Sequence, residues 1–191
     1  MVSHGVTGDV AQLVGAAKRG DRHAFGELYV RFARTVHGIL LARVSRPDAD
    51  DLVQDVFLTA MQRLPTLRDP EAFGGWLATI ARNRATDYAR RAPRTAELPE
   101  DLAETRMTSP SDRAEALAAL TAIRSLPDAY RETLVLRLVE GMTGPEIAER
   151  TGLTHGSVRV NLHRGMQMLR ERLKSAYDRG LSLGSDRRAG S

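Results

Sequence analysis

Cysteine is absent from this chain of 191 residues. Without a thiol the protein cannot form a disulfide, bind zinc through thiolates or use a cysteine nucleophile. Aromatic residues make up only 5% of the chain, which favours small helical domains over a β-sandwich or barrel. No apolar run approaches the roughly 18 residues that cross a bilayer, and the N-terminus lacks the apolar segment of a secretory signal. We therefore expect a soluble, cytoplasmic protein.

Charge is nearly balanced overall but segregated along the chain. Lys and Arg number 28 against 24 Asp and Glu, a formal net charge of +4. Residues 82–94 hold five arginines against one aspartate, whereas residues 48–55 hold four aspartates and no base. A protein with both a basic helix and an acidic helix face is expected to have two partners of opposite charge.

Helical periodicity predominates, and no segment shows the sustained alternation of a β-strand. Four helices are predicted in the first half of the chain, at about 9–19, 21–44, 47–64 and 73–91. The third has an apolar stripe at helical spacing, formed by Leu52, Val53, Val56, Phe57, Ala60, Met61 and Leu64. Residues 9–92 are therefore predicted to form a first all-α domain.

The helical pattern stops over residues 93–111. Pro93, Pro99 and Pro110 would break any helix there, and acidic residues accumulate between them. This composition predicts a flexible acidic linker. A second helical domain is predicted over 112–176, followed by a disordered tail, 177–191, that is rich in Gly, Ser and Arg.

The second domain contains the segment TGPEIAERTGLTHGSVRVNLHR, which predicts a helix-turn-helix. Thr143 and Glu146 have the spacing of a capping box. Gly152 stands where the first helix must end, since glycine enters the left-handed conformation without steric cost. Thr154 then caps a second helix whose polar face can reach phosphates or base edges. The alternative is a short helical hairpin inside an ordinary bundle.

Together these segments resemble the extracytoplasmic-function sigma factors of bacterial RNA polymerase, the smallest branch of the sigma-70 family. The resemblance covers about residues 10–175. DADDLVQDVFLTAMQRL (48–64) is similar to the helix that binds the polymerase clamp, and FGGWLATIARNRATDYARR (73–91) to the promoter-melting helix that reads the −10 element. LPDAYRETLVLRLVEGMTGPEIAERTGLTHGSVRVNLHRGMQMLRERL (126–173) is similar to the −35-reading domain. The resemblance implies sigma domain 2, a linker and sigma domain 4.

The resemblance implies that the acidic face of the third helix binds core polymerase. Asp48, Asp51, Gln54 and Asp55 fall on this face, and residues 51 and 55 lie one helical turn apart. Two other interpretations stay open, namely a solvated helix face and a metal site. No histidine completes a cluster of ligands there, which speaks against the metal site.

In the fourth helix the resemblance places Asn83 where the family reads an unstacked base of the non-template strand. The loop Thr66–Glu71 would form a wall of the pocket for that base. The predicted −10 DNA-binding set also includes Arg82, Arg84, Asp87, Arg90 and Arg91, whose guanidinium groups would hold phosphates. Trp76 is either a stacking platform for a base or, as we favour, a core residue.

In the second domain the resemblance assigns five residues to the major groove and places two nearer to phosphates. The first set is Thr154, His155, Ser157, Arg159 and Val160, and the second is Arg164 and Lys174. Asn161 stands where a basic residue is common in the family, so one backbone contact is expected to be weaker or replaced. His163 is either a DNA contact or a packing residue.

The sequence thus predicts a non-catalytic subunit that binds core RNA polymerase, recognises −35 and −10 elements and opens the duplex. Expected partners are the clamp and flap of the large polymerase subunits, promoter DNA and an anti-sigma factor. No cofactor, metal or membrane insertion is expected. The alternative is a helix-turn-helix regulator that binds operators as a homodimer, which would leave the acidic face and the basic helix unused. A DNA-processing enzyme would need a nucleophile or metal constellation, and the sequence offers none.

Overall fold

The computed structural model describes residues 4–91 and 110–186, with side chains over 9–91 and 115–175. Within these ranges the regular structure is entirely helical, with eight α-helices, and the all-α prediction is confirmed. The predicted linker 93–111 lies outside the described residues except for its last two positions. None of the described helices combines the length and apolar character needed to cross a bilayer.

The N-terminal domain contains four helices, joined by short turns. They are α1 (His4–Lys18), α2 (Arg22–Leu41), α3 (Arg46–Arg63) and α4 (Phe73–Arg91). Side chains fix where two of them begin. The Asp21 carboxylate accepts hydrogen bonds from the N–H groups of His23 and Ala24, and the Ser45 hydroxyl accepts one from Asp48. Such caps satisfy N–H groups that have no partner within the helix.

The core of this domain lies between α2, α3 and α4. Phe73 of α4 is fully buried and meets Phe32 edge-on, with their ring centroids 5.1 Å apart. On α3 the predicted apolar stripe is buried with one exception, Met61, which is half exposed. Met61 lies at the edge of the stripe and lines a surface groove, so this end of the stripe is not covered by the rest of the domain.

The C-terminal domain also has four helices. They are α5 (Pro110–Arg124), α6 (Asp128–Leu138), α7 (Gly144–Thr151) and α8 (His155–Asp186). The backbone of α8 is helical to Asp186, past residue 177, where the sequence predicts a disordered tail. Extending an existing helix adds one hydrogen bond for each residue fixed, so the composition of this segment does not by itself stop it. The rest of the predicted tail, 187–191, lies outside the described residues.

The two domains pack directly against each other. Helices α6 and α7 of the C-terminal domain lie on α2 and α4 of the N-terminal domain. The buried apolar residues form one continuous cluster that spans both domains. The sequence predicts two domains and a linker but contains no obvious sign of this contact.

Candidate nucleic-acid interface

The helix-turn-helix begins with the predicted capping box. The N–H of Thr143 donates to Glu146 Oε2 at 2.8 Å, and the N–H of Glu146 donates back to Thr143 Oγ1 at 3.4 Å. The hydrogen bond from the backbone of Thr143, with a second one from its hydroxyl, holds the pKa of the Glu146 carboxyl below its usual range. Two donors at the start of α7 are satisfied in this way.

The turn between α7 and α8 has the predicted conformation. Gly152 has φ of +73°, and its N–H donates to the carbonyl of Ala148 at 3.1 Å. Leu153 follows and packs, half-buried, on the core. A left-handed glycine followed by an apolar plug turns the chain sharply, so the start of α8 projects from the domain.

Helix α8 presents one face to the domain and the other to solvent. Thr154 Oγ1 accepts the N–H of Ser157 at 3.1 Å, which caps the helix as predicted. Val158 and Leu169 are buried, with Leu162 and Met166 half-buried between them. All the residues proposed for the groove and the phosphates are exposed, namely Thr154, His155, Ser157, Arg159, Val160, Arg164 and Lys174.

The basic side chains on this face are available for a ligand. Among the described residues, none forms a hydrogen bond or an ion pair with the side chain of Arg159 or of Arg164. In the described part of the chain α8 contacts only α5, α6 and α7, so the N-terminal domain leaves its outer face open. Asn161 is half-buried at the edge of this face, and His163 is exposed.

The basic helix α4 is less free than its sequence suggests. Asn83 is exposed, as base reading requires, and so is Arg91. Arg82, however, forms a two-pronged ion pair with Glu132 of the C-terminal domain. Two further arginines of the predicted −10 set also have carboxylate partners, Arg84 with Asp55 and Arg90 with Asp87.

The loop before α4 is tied to the domain. Lys18 of α1 donates from Nζ to the carbonyl of Leu67 at 2.7 Å, and the Asp69 carboxylate accepts the N–H of Glu71 at 3.0 Å. Trp76 is half-buried on the core, and its ring centroid lies 5.8 Å from that of Phe73. This packing favours the core interpretation of Trp76.

The acidic face of α3 divides into an open part and an engaged part. Asp51 and Gln54 are exposed, whereas Asp55 is half-buried beside Arg84. Asp48 accepts hydrogen bonds from the hydroxyls of Tyr88 and Ser45. Its hydrogen bond to Tyr88, helped by burial and by the charges of Asp48 and Asp51, raises the pKa of that tyrosine. Among residues with described side chains, no His, Asp and Glu cluster suits a metal ion.

An apolar surface that the sequence analysis missed lies beside Asp51 and Gln54. Its exposed members are Tyr29, Leu58 and Met61. They border a shallow groove of about 230 Å³, lined by Phe25, Tyr29, Gln54, Phe57, Leu58 and Met61. Leu58 could have signalled it, since this leucine falls outside the stripe that α3 turns to its own core.

Comparisons with known proteins agree with the geometry of both domains. The family model described as Sigma-70 region 2 matches residues 28–95, and the one described as Sigma-70, region 4 matches residues 116–169. The sequence is 31% identical over 180 residues to the ECF RNA polymerase sigma-E factor of Haemophilus influenzae, covering 85% of this chain and 94% of that protein.

Two further proteins are similar to this chain, and the chain covers different shares of their length. The sequence is 33% identical over 174 residues to the "Probable RNA polymerase sigma factor RfaY" of Xanthomonas campestris, covering 85% of this chain but only 43% of that protein. The fold is similar to CnrH, solved in complex with the cytosolic domain of CnrY. The TM-score is 0.60 at 27% identity, covering 87% of this chain and 98% of that one.

Proposed function

Since the chain belongs to the extracytoplasmic-function sigma factors of bacterial RNA polymerase, we propose that it binds core polymerase and directs initiation at a specific class of promoters. It would recognise the −35 and −10 elements and help to open the duplex. The observation that carries this proposal is the open polar face of α8, which has the geometry of a DNA-reading helix. As in its family, the chain would be a non-catalytic subunit, acting in the cytoplasm where the polymerase is.

For the −35 element, different residues along the exposed face of α8 would read bases and bind phosphates. Arg159 lies near the N-terminus of the helix, the end that enters the major groove in helix-turn-helix proteins. Its free guanidinium can bind O6 and N7 of a guanine. Arg164 lies further along and suits a phosphate, which adds affinity without sequence preference.

For the −10 element, exposed Asn83 offers both a donor and an acceptor to the edge of an unstacked base. Exposed Arg90 and Arg91 are close enough along α4 to hold the neighbouring phosphates. Arg82 and Arg84 can join them only by giving up their carboxylate partners. Binding of the strand is therefore coupled to the ion pairs that α4 makes.

For core polymerase, we propose the surface formed by Asp51, Gln54, Tyr29 and Leu58. It combines an exposed carboxylate with an apolar groove. An apolar centre with a polar, charged rim is typical of protein interfaces, and the partner that fits would present basic and apolar side chains. The proposed partner for this surface is the clamp of the large polymerase subunits. The proposed partner for the C-terminal domain is the flap.

An anti-sigma factor is the further partner that we propose. CnrH, which shares this fold, was solved with the cytosolic domain of CnrY. A regulator of that kind would bind surfaces needed for polymerase or DNA and so keep the chain inactive. The alternative of a homodimeric operator-binding regulator has no specific observation in its favour.

Transcription of genomic DNA by core polymerase, with and without the purified chain, tests the proposed function. Mapping the 5′ ends of the transcripts should reveal start sites that depend on the chain and share a −35 and a −10 sequence. The double substitution Asp51→Arg and Leu58→Ser serves as the control, because both side chains are exposed. A folded double variant that supports all the same start sites would contradict the polymerase surface, and no chain-dependent start site at all would contradict the function.

A further inference from the structure

One apolar side chain lies in the middle of the open face of α8. Val160 is 41% exposed, although most of the exposed residues around it are polar or charged. One turn before it on the helix lie Gly156 and Ser157, and one turn after it lie His163 and Arg164, all of them exposed. The domain core takes the opposite face of α8, so the exposed methyl groups of Val160 are available to a ligand.

The residue one turn before Val160 is a glycine that the fold does not require. Gly156 lies in the first turn of α8, where its backbone is that of an ordinary helix, without the positive φ that favours glycine. In the described part of the chain, a Cβ atom placed there would meet Thr154 Oγ1 at 3.9 Å, an ordinary van der Waals contact, and no closer atom beyond its own helix. Alanine would therefore fit at this position, and it would strengthen the helix.

Two other helical glycines are explained by packing within the chain. A Cβ atom placed on Gly38 of α2 would lie 2.6 Å from Leu136 Cδ2. One placed on Gly75 of α4 would lie 3.2 Å from the Cα of Gly152. At both positions a neighbouring residue excludes a side chain. Gly156 has no such neighbour and lies on the face that is proposed to meet DNA, so we look for the reason for this glycine in the bound duplex.

A valine can contact a base only at close range. Its side chain extends a single carbon beyond Cβ, and in a helix its χ1 angle is nearly fixed. The methyl groups of Val160 therefore cannot reach outward as the guanidinium of Arg159 can, and the helix backbone itself must approach the bases. A side chain at Gly156, which is nearer the end of the helix that enters the major groove, would hold the backbone away. Glycine and valine at these two positions suit the same close approach.

The ligand that fits such a site is a methyl group. In the major groove the C5 methyl of thymine is the apolar group among the base edges, and small apolar side chains distinguish thymine by contact with it. We propose that Gly156 and Val160 form a reading site for the methyl group of one thymine in the −35 element. Val160 contacts the methyl, and Gly156 lets α8 lie close enough for that contact. The inference rests on the proposed recognition of the −35 element.

Replacement of thymine by deoxyuridine tests the site, because deoxyuridine lacks only the C5 methyl group. In a promoter duplex found by transcript mapping, each thymine of the −35 element on either strand is replaced in turn. The affinity of holoenzyme for each duplex is then measured by competition. We expect one thymine at which loss of the methyl lowers the affinity about fourfold, the effect of withdrawing one methyl group from an apolar contact.

Substitution of Val160 shows whether this residue senses that methyl. Val160→Ala should bring the ratio of the affinities for the thymine and deoxyuridine duplexes close to one at this position. A general loss of binding would instead lower both affinities and leave their ratio unchanged. Leu173→Ala is the matched control and should keep the wild-type ratio. Leu173 is also an exposed apolar residue of α8, but it lies 13 residues further along, about 20 Å of helix.

Substitution of Gly156 tests the close approach. Gly156→Ala should reduce the same ratio and weaken binding of the thymine duplex, although alanine is the better helix former. Its unfolding temperature should be no lower than that of the wild type, which separates a lost approach to DNA from a damaged fold. Gly15→Ala is the control and should change neither the ratio nor the affinity. Gly15 lies in α1, where a Cβ atom would meet only the flexible side chain of Arg19, at 3.6 Å.

The results distinguish this inference from the function on which it rests. If no thymine of the −35 element is sensitive to loss of its methyl, or if either Val160→Ala or Gly156→Ala keeps the wild-type ratio, the reading site is wrong. Recognition of the −35 element still stands in that case if wild-type holoenzyme prefers its own −35 sequence to point variants of it. Equal binding of wild-type holoenzyme to every −35 variant would refute the proposed recognition and the reading site together.

Discussion

Arg82 of α4 and Glu132 of α6 form a two-pronged ion pair between the domains, with Nη2 to Oε1 at 2.8 Å and Nε to Oε2 at 3.0 Å. Arg82→Ala should lower the free energy of unfolding by about 1–3 kcal/mol, because Glu132 stays buried and keeps only Arg43. Urea unfolding measures this change. The control is Arg90→Ala, whose exposed i,i+3 pair with Asp87 should be worth less than about 0.5 kcal/mol. Equal effects of the two substitutions would contradict the role of the interdomain pair.

Substitutions of Asp51 and Asp48 should have different effects: the first on the affinity for core polymerase, the second on the stability of the fold. Asp51→Arg introduces repulsion at an exposed position and should weaken binding of core polymerase by about tenfold or more, with the free energy of unfolding little changed. Asp48→Ala removes the acceptor for the hydroxyls of Tyr88 and Ser45 and should instead lower stability by about 1 kcal/mol. Affinity by fluorescence anisotropy and unfolding by urea distinguish them. Unimpaired polymerase binding by Asp51→Arg would remove that residue from the interface.

Asn83 should matter for strand opening and not for folding. Its side chain is exposed, so Asn83→Ala removes no core contact and should leave the unfolding temperature unchanged. Permanganate reactivity of thymines around the −10 element should fall well below that of wild-type holoenzyme at equal promoter occupancy. Thr79→Ala, one helical turn before Asn83 on the same exposed face of α4, is the control and shows whether the effect is specific to position 83. Normal opening by Asn83→Ala holoenzyme would refute base reading at this position.

Arg159 and Arg164 should differ in what their removal does to −35 recognition. Arg159→Ala should relax preference at one or two base pairs, a loss of about 1–3 kcal/mol of discrimination. Arg164→Ala should weaken all sequences about equally and reduce the salt dependence by about one phosphate contact. Binding of holoenzyme to a panel of −35 variants at several salt concentrations measures both. If Arg159→Ala weakens every sequence alike, the docking of α8 proposed here has the wrong register.

The capping box of α7 gives an expected pH dependence. The pKa of Glu146 is lowered in the fold by hydrogen bonds from Thr143. The carboxylate therefore stabilises the fold fully above its unfolded pKa of about 4.3, and this contribution is lost as the pH falls through the lower folded value. Thr143→Ala should cost about 1 kcal/mol at neutral pH. Its deficit against the wild type should shrink on acidification below about pH 4. A constant deficit at all pH values would contradict this linkage.

Local signals in the sequence were sufficient to predict the helices and several of the residues at which they begin or end. Capping by Asp21, the end of α7 at Gly152 and the cap at Thr154 follow from short-range chemistry, and each is found in the structure. Val158 and Leu169 recur at helical spacing in the sequence of α8, and both are buried in the structure. The site residues on α8 were found because a periodic apolar face defines the opposite, open face.

The contacts between the domains could not be predicted, because their partners are far apart in sequence. Arg82 is 50 residues from Glu132, and nothing in either segment indicates the other. Read locally, Arg82 is one more base on a DNA-binding helix and Glu132 one more polar residue of α6. Burial of Glu132, and glycines at 38 and 75 inside helices, are signals that become meaningful only once the opposite surface is known.

Gly152 takes part both in the turn of the helix-turn-helix and in the contact between the two domains. Its φ of +73° closes the helix-turn-helix, and its Cα lies against Gly75. Any side chain there would strain the turn of the helix-turn-helix and also press against Gly75 of the other domain. Gly38 and Gly75 carry no such double constraint, since both have ordinary helical backbones. Substitutions at these two positions can therefore change how closely the two domains fit, in steps as small as one methyl group, while the turn before the DNA-reading helix keeps its conformation.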